Sequence, residues 1–307
     1  MKRRHFIQQL SSGAILLGTG AFPTSAFASE HSEIVKLTIL HTNDVHSRID
    51  PFPMDGTANQ GLGGAARRAA LVKKIRAQEK NILLLDAGDI FQGTPYFNFY
   101  HGELEMKLMT EMGYDAATIG NHDFDGGMEE LAKQLQFAQF PLLNANYDFK
   151  NTVMKSKTQP HKIFVKNGVK IGVFGVGIEL KGLVAEDLYK ETQYSDPLSM
   201  ANKTAEFLKK EAKCDYVICL SHLGYQYRDE KIDDVKMAKN SRNIDLIIGG
   251  HTHTFLDKPN ILKNLDEQPV IVNQVGWAGI MLGRIDVLFE RGRNEKCDTC
   301  QNIFIGK

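Results

Sequence analysis

Short polar clusters follow five apolar runs of this sequence, and the clusters contain residue types that bind metals. The residues concerned are Asp44, His46, Asp89, Asn121, His222, His251 and His253. Two aspartates, one asparagine and four histidines supply carboxylate, amide and imidazole donors, enough to hold two divalent ions. A lone Asp-x-His or His-x-His more often lies at the protein surface or in a turn and binds no metal. Because seven such residues follow five separate runs, their conjunction favours a metal or catalytic site.

The five runs have the character of strands that end in these polar clusters. They are LTIL before HTNDVH, NILLL before DAGD, AATI before GNHDFD, DYVICL before SH, and IDLII before GGHTH. Strands that end in ligands are a common way for α/β enzymes to assemble a site. Asp89 stands alone after its run, so we expect its carboxylate to bridge the two ions. Such ligands suit Zn, Mn, Fe or Co.

Two divalent ions with two aspartate ligands leave a site with net positive charge, which attracts a phosphate dianion. In a two-metal centre, the ions stabilise the attacking and leaving oxygens of an in-line displacement. The predicted reaction is therefore hydrolysis of a phosphate ester.

The leaving oxygen also needs a proton, and His122, next to Asn121, can supply it. Asp125 lies three residues later and can fix the tautomer of the imidazole and raise its basicity. The alternative is that His122 and Asp125 cap the following helix. We favour the catalytic interpretation, since general acid catalysis is worth about 10²- to 10⁴-fold and no neighbouring residue offers it.

Alternating strands and helices are expected to position these residues. Ala65, Ala69, Val72 and Ile75 form one apolar stripe, which predicts a helix after the first strand. The order of strand, helix and strand repeats as far as Leu143, which implies parallel βαβ crossovers.

The second half of the chain is richer in β-structure. Asn167-Gly168 between two apolar runs predicts a β-hairpin, and the segments 270–275 and 283–289 are expected to belong to a second sheet. Two sheets packed face to face, with helices outside, account for this mixture. We expect one domain over residues 33–291 and a C-terminal tail over 292–307.

The polar clusters and their flanking residues resemble the calcineurin-like metallophosphoesterases. The segments LTILHTNDVHSRIDP, LLLDAGDIFQGTPYFN, GYDAATIGNHDFD, LSHLGY and IIGGHTHTF are similar to the catalytic domain of bacterial and animal 5′-nucleotidases. The resemblance extends from about Leu37 to Phe289. It implies a four-layer α/β/β/α sandwich with a dinuclear metal site at the carboxyl ends of the strands.

The resemblance also implies how the ligands are divided. Asp44, His46, Asp89 and His253 would hold one ion, and Asp89, Asn121, His222 and His251 the other. His122 and Asp125 fall on the catalytic dyad of the family, in agreement with the chemical argument above.

The substrate is less well defined. The resemblance implies a nucleoside 5′-monophosphate; the alternatives are UDP-sugars, 2′,3′-cyclic nucleotides, other small phosphoesters or sulfur esters. In full-length 5′-nucleotidases a C-terminal domain grips the nucleotide, and we expect this chain to lack it. A separate polypeptide would then supply that domain, or the chain would act without it. A non-catalytic interaction module is disfavoured by the intact ligand set.

The first 28 residues have the features of an export signal. Arg3 and Arg4 form a twin-arginine pair, residues 13–22 form a short apolar stretch, and Ala26-Phe27-Ala28 forms a cleavage site. The apolar stretch is too short for a membrane anchor, which takes about 20 residues. We therefore expect a bacterial protein that is exported by the twin-arginine route, to the periplasm.

The charge balance bears on the kind of partner, and the cysteines bear on a possible disulfide. The chain has 37 basic and 37 acidic residues, and three of the basic ones lie in the export signal, so the rest carries 34 against 37 and a net charge of −3. This balance argues against a nucleic-acid polymer as a partner. Cys297 and Cys300 are candidates for a disulfide in an oxidising compartment.

Overall fold

Two β-sheets position the polar clusters of the sequence. The computed structural model describes residues 34–290 and 296–306, so the predicted export signal lies outside the described residues. In spatial order, the strands of the larger sheet are Lys296–Phe304 (β15), Met281–Glu290 (β14), Ile34–Thr42 (β1), Ile82–Asp86 (β2), Ala116–Ala117 (β3), Leu142–Leu143 (β4) and Thr158–Gln159 (β6). Strands β1, β2, β3, β4 and β6 run parallel to one another.

The second sheet also has a parallel centre, formed by β8, β10, β11 and β13. Its strands in spatial order are Asn260–Lys263 (β12), Pro269–Asn273 (β13), Leu246–Gly249 (β11), Tyr216–His222 (β10), Val169–Gly177 (β8) and His161–Lys166 (β7). A further pair is formed by Tyr147–Asp148 (β5) and Gln193–Tyr194 (β9).

Seven α-helices are found in the described part of the chain. They are Ala65–Gln78 (α1), Pro95–Tyr100 (α2), Glu103–Met112 (α3), Met128–Gln134 (α4), Glu186–Tyr189 (α5), Pro197–Glu206 (α6) and Asp234–Asn240 (α7). Short 3₁₀ turns cover His122–Phe124 and Leu135–Phe137, and a π-helical turn, Phe207–Glu211, continues α6. None of the helices in the described ranges is both long and apolar enough to span a membrane.

The two sheets pack face to face through one hydrophobic layer. Leu37 and Leu85 of the larger sheet lie in the same buried cluster as Ile171 and Leu220 of the second sheet. Because successive residues of a strand point to opposite faces, the alternate positions of these strands face outward. The layer between the sheets is therefore built from one face of each.

Helices cover the outer face of each sheet. On the larger sheet, Val72 of α1 packs in one cluster with Leu84 of β2. On the second sheet, Ala205 of α6 packs with Val217 of β10. These clusters place helices on the outer faces of two facing sheets, and the predicted α/β class is confirmed.

Local sequence signals predicted several elements correctly. The stripe from Ala65 to Ile75 lies in α1, and Asn167 and Gly168 join β7 to β8 in a hairpin. Both turn residues have positive φ, 49° and 84°, as a type I′ turn requires.

Two expectations about the end of the chain were wrong. Residues 283–289, expected in the second sheet, belong to β14 of the larger sheet, where Ile285 lies opposite Ile39 of β1. The expected tail over 292–307 contains β15, which pairs antiparallel with β14. Hydrophobic alternation indicates a strand but not its partner, and an edge strand needs no continuous apolar run. The side chain of Cys297 lies outside the described residues, so the disulfide with Cys300 stays a prediction.

A buried series of hydrogen bonds lies at the carboxyl end of β2. The Thr42 hydroxyl donates to Asp86 Oδ2 at 2.6 Å and lies 2.7 Å from the Tyr114 hydroxyl. The Gly88 amide donates to Asp86 Oδ1 at 2.9 Å. Burial nevertheless raises the pKa of Asp86 to about 7, because it penalises the charged form by more than these hydrogen bonds favour it.

Asp86→Asn is expected to flatten the pH dependence of the free energy of unfolding of the metal-free protein. The pKa of Asp86 rises from 3.8 to about 7 on folding. Its contribution to the free energy of unfolding is therefore complete below pH 3.8 and is lost as the pH rises through about 7. At about 1.36 kcal/mol per pKa unit, the loss amounts to about 4 kcal/mol. Asparagine cannot ionise and keeps the acceptor for Gly88.

Urea denaturation below pH 3.8 and above about pH 7 measures this change in the free energy of unfolding. The matched control is Asp187→Asn, which replaces an exposed aspartate and should follow the parent protein. If Asp86→Asn keeps the parent's pH dependence, the raised pKa of Asp86 is contradicted.

Candidate metal centre

The polar clusters meet at the carboxyl ends of the parallel strands. Asp44 and His46 follow β1, Asp89 follows β2, Asn121 follows β3, His222 ends β10, and His251 and His253 follow β11. Parallel strands of one sheet end at the same edge, so short loops bring these donors together. Six of the seven residues form two groups of three, and Asn121 contacts His251 of one of them.

The first group consists of Asp44, His46 and His253, whose donor atoms lie within 4.8 Å of one another. His46 Nε2 is 3.0 Å from His253 Nε2, and His253 Nε2 is 3.4 Å from Asp44 Oδ1. His46 Nδ1 lies 3.2 Å from the Phe91 carbonyl oxygen, which can only accept a hydrogen bond. With the proton on Nδ1, the lone pair of His46 Nε2 faces His253, as in a site made for a cation.

The second group consists of Asp89, His222 and His251. His222 Nε2 lies 3.1 Å from Asp89 Oδ2, and His251 Nδ1 lies 2.8 Å from the side-chain oxygen of Asn121. Burial lowers the pKa of His251 to about 3. Its imidazole is therefore neutral and has a lone pair available for a metal.

His222 gives the clearest test of whether a metal ion fits this group. Its Nδ1 lies 2.7 Å from the carbonyl oxygen of Ala87, so Nδ1 carries a proton. Its Nε2 is buried and has no hydrogen-bond partner in the required geometry, although the Asp89 carboxylate is adjacent. Burial lowers the pKa of His222, but the charge and hydrogen bond of Asp89, the charge of Asp44 and the Ala87 carbonyl together raise it to about 10. A cation at Nε2 is thus required, either a proton or a metal ion in its place.

Asp89 belongs to the second group and also approaches the first. Its Oδ2 is 3.1 Å from His222 Nε2 and 3.8 Å from His46 Nε2. Burial works to raise the pKa of Asp89, but the neighbouring imidazoles, His222 first, hold it well below its usual range. Oδ1 accepts a hydrogen bond from the His122 amide at 2.8 Å. The carboxylate is therefore ionised and fixed in orientation.

The backbone around the site is unusual for residues other than glycine. Positive φ angles are found at Asp44, His46, Asp89, His251 and His253. Each such residue costs of order 1–3 kcal/mol and persists only where the surroundings enforce it. Two hydrogen bonds between loops do so here, since the Asp44 amide donates to Gly88 O at 2.9 Å and the His46 amide to Asp89 O at 3.0 Å.

Asp123 joins the loops that follow β2 and β3, a role that the sequence did not reveal. Its buried carboxylate accepts hydrogen bonds from the amides of Asp89, Ile90, Phe91 and Gly120, at 2.8–3.1 Å. The only sequence signal was its place in Gly-Asn-His-Asp. An acceptor of four amides holds two ligand-bearing loops in one arrangement.

His122 and Asp125 form a pair at the mouth of the site. His122 Nδ1 is 2.8 Å from Asp125 Oδ2, and this hydrogen bond raises the pKa of His122. The His122 side chain is 40% exposed, and its ring centroid lies 5.3 Å from that of His46. The capping alternative is wrong, because α4 begins after Gly127 with no side-chain cap.

The fold and the site together define an α/β/β/α sandwich with metal-binding groups where its strands end. Residues 37–255 match the family model described as calcineurin-like phosphoesterase. This chain belongs to that family.

Several characterised proteins are similar to this chain. It is 33% identical over 286 residues to the trifunctional nucleotide phosphoesterase protein YfkN of Bacillus subtilis, a match to 83% of this chain and 18% of the relative. It is 33% identical over 316 residues to the snake venom 5′-nucleotidase of Gloydius brevicauda, a match to 96% and 52%.

Among solved structures, the 5′-nucleotidase precursor of Thermus thermophilus superposes with a TM-score of 0.79 and 30% identity, and the match covers 88% of this chain and 55% of that one. The chain thus spans about half or less of the length of these three proteins.

Gly120→Ala is expected to lower metal affinity by about 10- to 100-fold, the usual cost of disturbing the support of a ligand. A Cβ atom at Gly120 would lie 2.1 Å from Asp89 Oδ1 and would displace the carboxylate. Gly126→Ala is the matched control, since its Cβ would meet nothing closer than 3.4 Å. The measurement is the metal content of each variant after dialysis against a fixed metal concentration. Equal metal retention by both variants would show that the position of Asp89 does not affect metal affinity.

Proposed function

We propose that this chain hydrolyses phosphate monoesters with two divalent metal ions. Asp44, His46, Asp89 and His253 would hold one ion, and Asp89, Asn121, His222 and His251 would hold the other. The observation that carries the proposal is the position of Asp89 Oδ2, 3.1 Å from His222 Nε2 and 3.8 Å from His46 Nε2. One carboxylate oxygen can therefore serve both groups. Imidazole, carboxylate and amide donors suit Zn, Mn, Fe or Co.

The charge of the site selects the substrate class. Two divalent ions bring four positive charges, and Asp44 and Asp89 return two negative ones, so the site attracts a phosphate dianion. When bound, such a pair of ions stabilises the attacking and leaving oxygens of an in-line displacement. The family to which the chain belongs supports the same reaction.

His122 acts in this proposal as the general acid. With Nδ1 held by Asp125 at 2.8 Å, the free Nε2 can deliver a proton to the leaving oxygen. The raised pKa of His122 favours the protonated form that this role requires. Its partial exposure leaves room for a substrate at the mouth of the site.

The preferred substrate that we propose is a nucleoside 5′-monophosphate. It is supported by the names of the relatives from the snake and from Thermus thermophilus, both called 5′-nucleotidases. UDP-sugars, 2′,3′-cyclic nucleotides and other small phosphoesters are the alternatives, and the trifunctional relative is called a nucleotide phosphoesterase. A separate polypeptide that contributes nucleoside contacts is compatible with this proposal.

We propose further that the protein is exported to the bacterial periplasm. The support is the twin-arginine pair Arg3-Arg4, the apolar stretch and the Ala26-Phe27-Ala28 site. Replacement of both arginines by lysine is expected to keep the protein in the cytoplasm.

The test of the function is hydrolysis of four substrates by the 307-residue chain. Phosphate release is measured with AMP and 4-nitrophenyl phosphate, formation of UMP and glucose 1-phosphate with UDP-glucose, and formation of the nucleoside monophosphate with 2′,3′-cyclic AMP. We expect hydrolysis of AMP to be fastest and to stop when a chelator removes the metal. We also expect Asp89→Ala to lose both metal and activity, because one carboxylate serves both ions. Activity that survives chelation, or a fully active Asp89→Ala variant, would refute the two-metal mechanism.

His122→Ala is expected to keep its metal and lose turnover of AMP by about 10²- to 10⁴-fold, the usual contribution of a general acid. The loss should be much smaller with 4-nitrophenyl phosphate, whose phenolate leaves without a proton. The control is His161→Ala, since His161 lies on edge strand β7 and its ring contacts Phe207, which is not one of the site residues. An equal loss with both substrates would mean that His122 acts in some other way than as an acid.

A further inference from the structure

A loop that the sequence analysis did not identify supports the first group through hydrogen bonds and a ring contact. We define the clamp loop as Val275–Ala278, between β13 and β14. The Val275 amide donates to Asn43 Oδ1 at 3.0 Å, and Asn43 Nδ2 donates to the Gly276 carbonyl at 2.6 Å. The Ala278 amide donates to the Asp44 carbonyl at 2.7 Å. The clamp loop and the loop after β1 are therefore joined by three hydrogen bonds.

The Asn43 side chain transmits this arrangement to a ligand. Asn43 is buried, and its Nδ2 also donates to Asp44 Oδ2 at 2.6 Å. The His251 amide donates to the same carboxylate, at 2.9 Å to Oδ1 and 3.0 Å to Oδ2. The orientation of the Asp44 carboxylate thus depends on the side-chain amide of Asn43. Both the Nδ2 and the Oδ1 atom of that amide are hydrogen-bonded to the clamp loop.

Trp277 gives the clamp loop its contact with a second ligand. Its ring stacks on that of His253, with centroids 5.6 Å apart and an angle of 7° between the planes. The His253 side chain is 40% exposed, against 0% for Asp44 and 7% for His46. The least enclosed member of the first group is therefore supported by an aromatic face. The Gly276 amide also donates to the Thr254 carbonyl at 2.9 Å, which ties the clamp loop to the segment of His253.

The second group has a different support. His222 is held by the Ala87 carbonyl, and the loops of Asp89 and Asn121 are held by the Asp123 carboxylate. Among the seven proposed ligands, Asp44 and His253 are those that the described contacts of the clamp loop reach. The clamp loop therefore supports the first group in particular.

We propose that Asn43 and Trp277 are positioning residues that set the affinity of the first metal position independently of the second. The proposal rests on the proposed function, in which Asp44, His46 and His253 hold an ion. Metal affinity depends on ligand orientation, and loss of one supporting contact typically costs about 10- to 100-fold. We expect a loss of this size at one of two sites.

The test uses Co²⁺ and the 307-residue chain, first stripped of metal with a chelator. Trp277 is the only tryptophan of the chain, so its fluorescence reports Co²⁺ bound beside His253 through quenching, while the absorption bands of Co²⁺ report both sites. The parent chain should bind two equivalents, one of which quenches. Trp277→Leu should bind one equivalent normally and the other about 10- to 100-fold more weakly, and Trp277→Phe should restore most of the loss.

Two further variants keep the fluorescent ring. Asn43→Ala should shift quenching to about 10- to 100-fold higher Co²⁺ concentration and leave the non-quenching site unchanged. Phe52→Leu is the control: Phe52 touches Trp277, with ring centroids 5.8 Å apart, and its loss should change neither site. Circular dichroism checks that each variant is folded, and the partly exposed position of Trp277 keeps the test valid if Asn43→Ala does not fold.

The outcomes separate this proposal from the proposed function. A parent chain that binds no Co²⁺ overturns both. A parent chain that binds two equivalents, with Trp277→Leu unchanged at both sites or weakened equally at both, overturns the role of the clamp loop alone and leaves the metal centre intact.

Discussion

A buried carboxylate must be paired with positive charge, and the site is organised around that requirement at Asp89. The residue is 1% exposed, and its Oδ2 faces His222 and His46 from two different sheets. An isolated charge in such a place would cost many kcal/mol. Imidazoles with their Nδ1 atoms directed at backbone carbonyls leave their Nε2 atoms for a cation. The geometry thus creates a demand for positive charge that metal ions meet.

The two-sheet fold explains why the loops after several strands meet at one site. Parallel strands of both sheets end on the same side, and the inner hydrophobic layer holds the two sheet edges at a fixed separation. Loops after β2 and β3 approach so closely that Gly120 has no room for a side chain beside Asp89. Asp123 then ties these loops together with four amide hydrogen bonds. Stability of the core and accuracy of the site are consequences of the same packing.

Sequence reasoning found the residues that the fold brings together at the strand ends, because each follows an apolar run that can be recognised locally. It also reached a fold of two sheets with helices outside, since strands and helices alternate as far as Leu143 and β-structure dominates after it. It failed for β14 and β15, whose partners are set by contacts between distant segments. It also missed Asp123, Asn43 and Trp277, which look like ordinary loop residues in the sequence. Their importance comes from hydrogen bonds and a ring stack that only the folded chain creates.

The central claim is that Asp89 lies between two metal ions. Crystals of the protein, purified without chelator, can be measured by anomalous diffraction at the absorption edge of the metal found in the sample. The account predicts two anomalous peaks about 3.5 to 4 Å apart, one beside His46 and His253, the other beside His222 and His251, with Asp89 in contact with both. A single peak, or two peaks of which one does not touch Asp89, would contradict it.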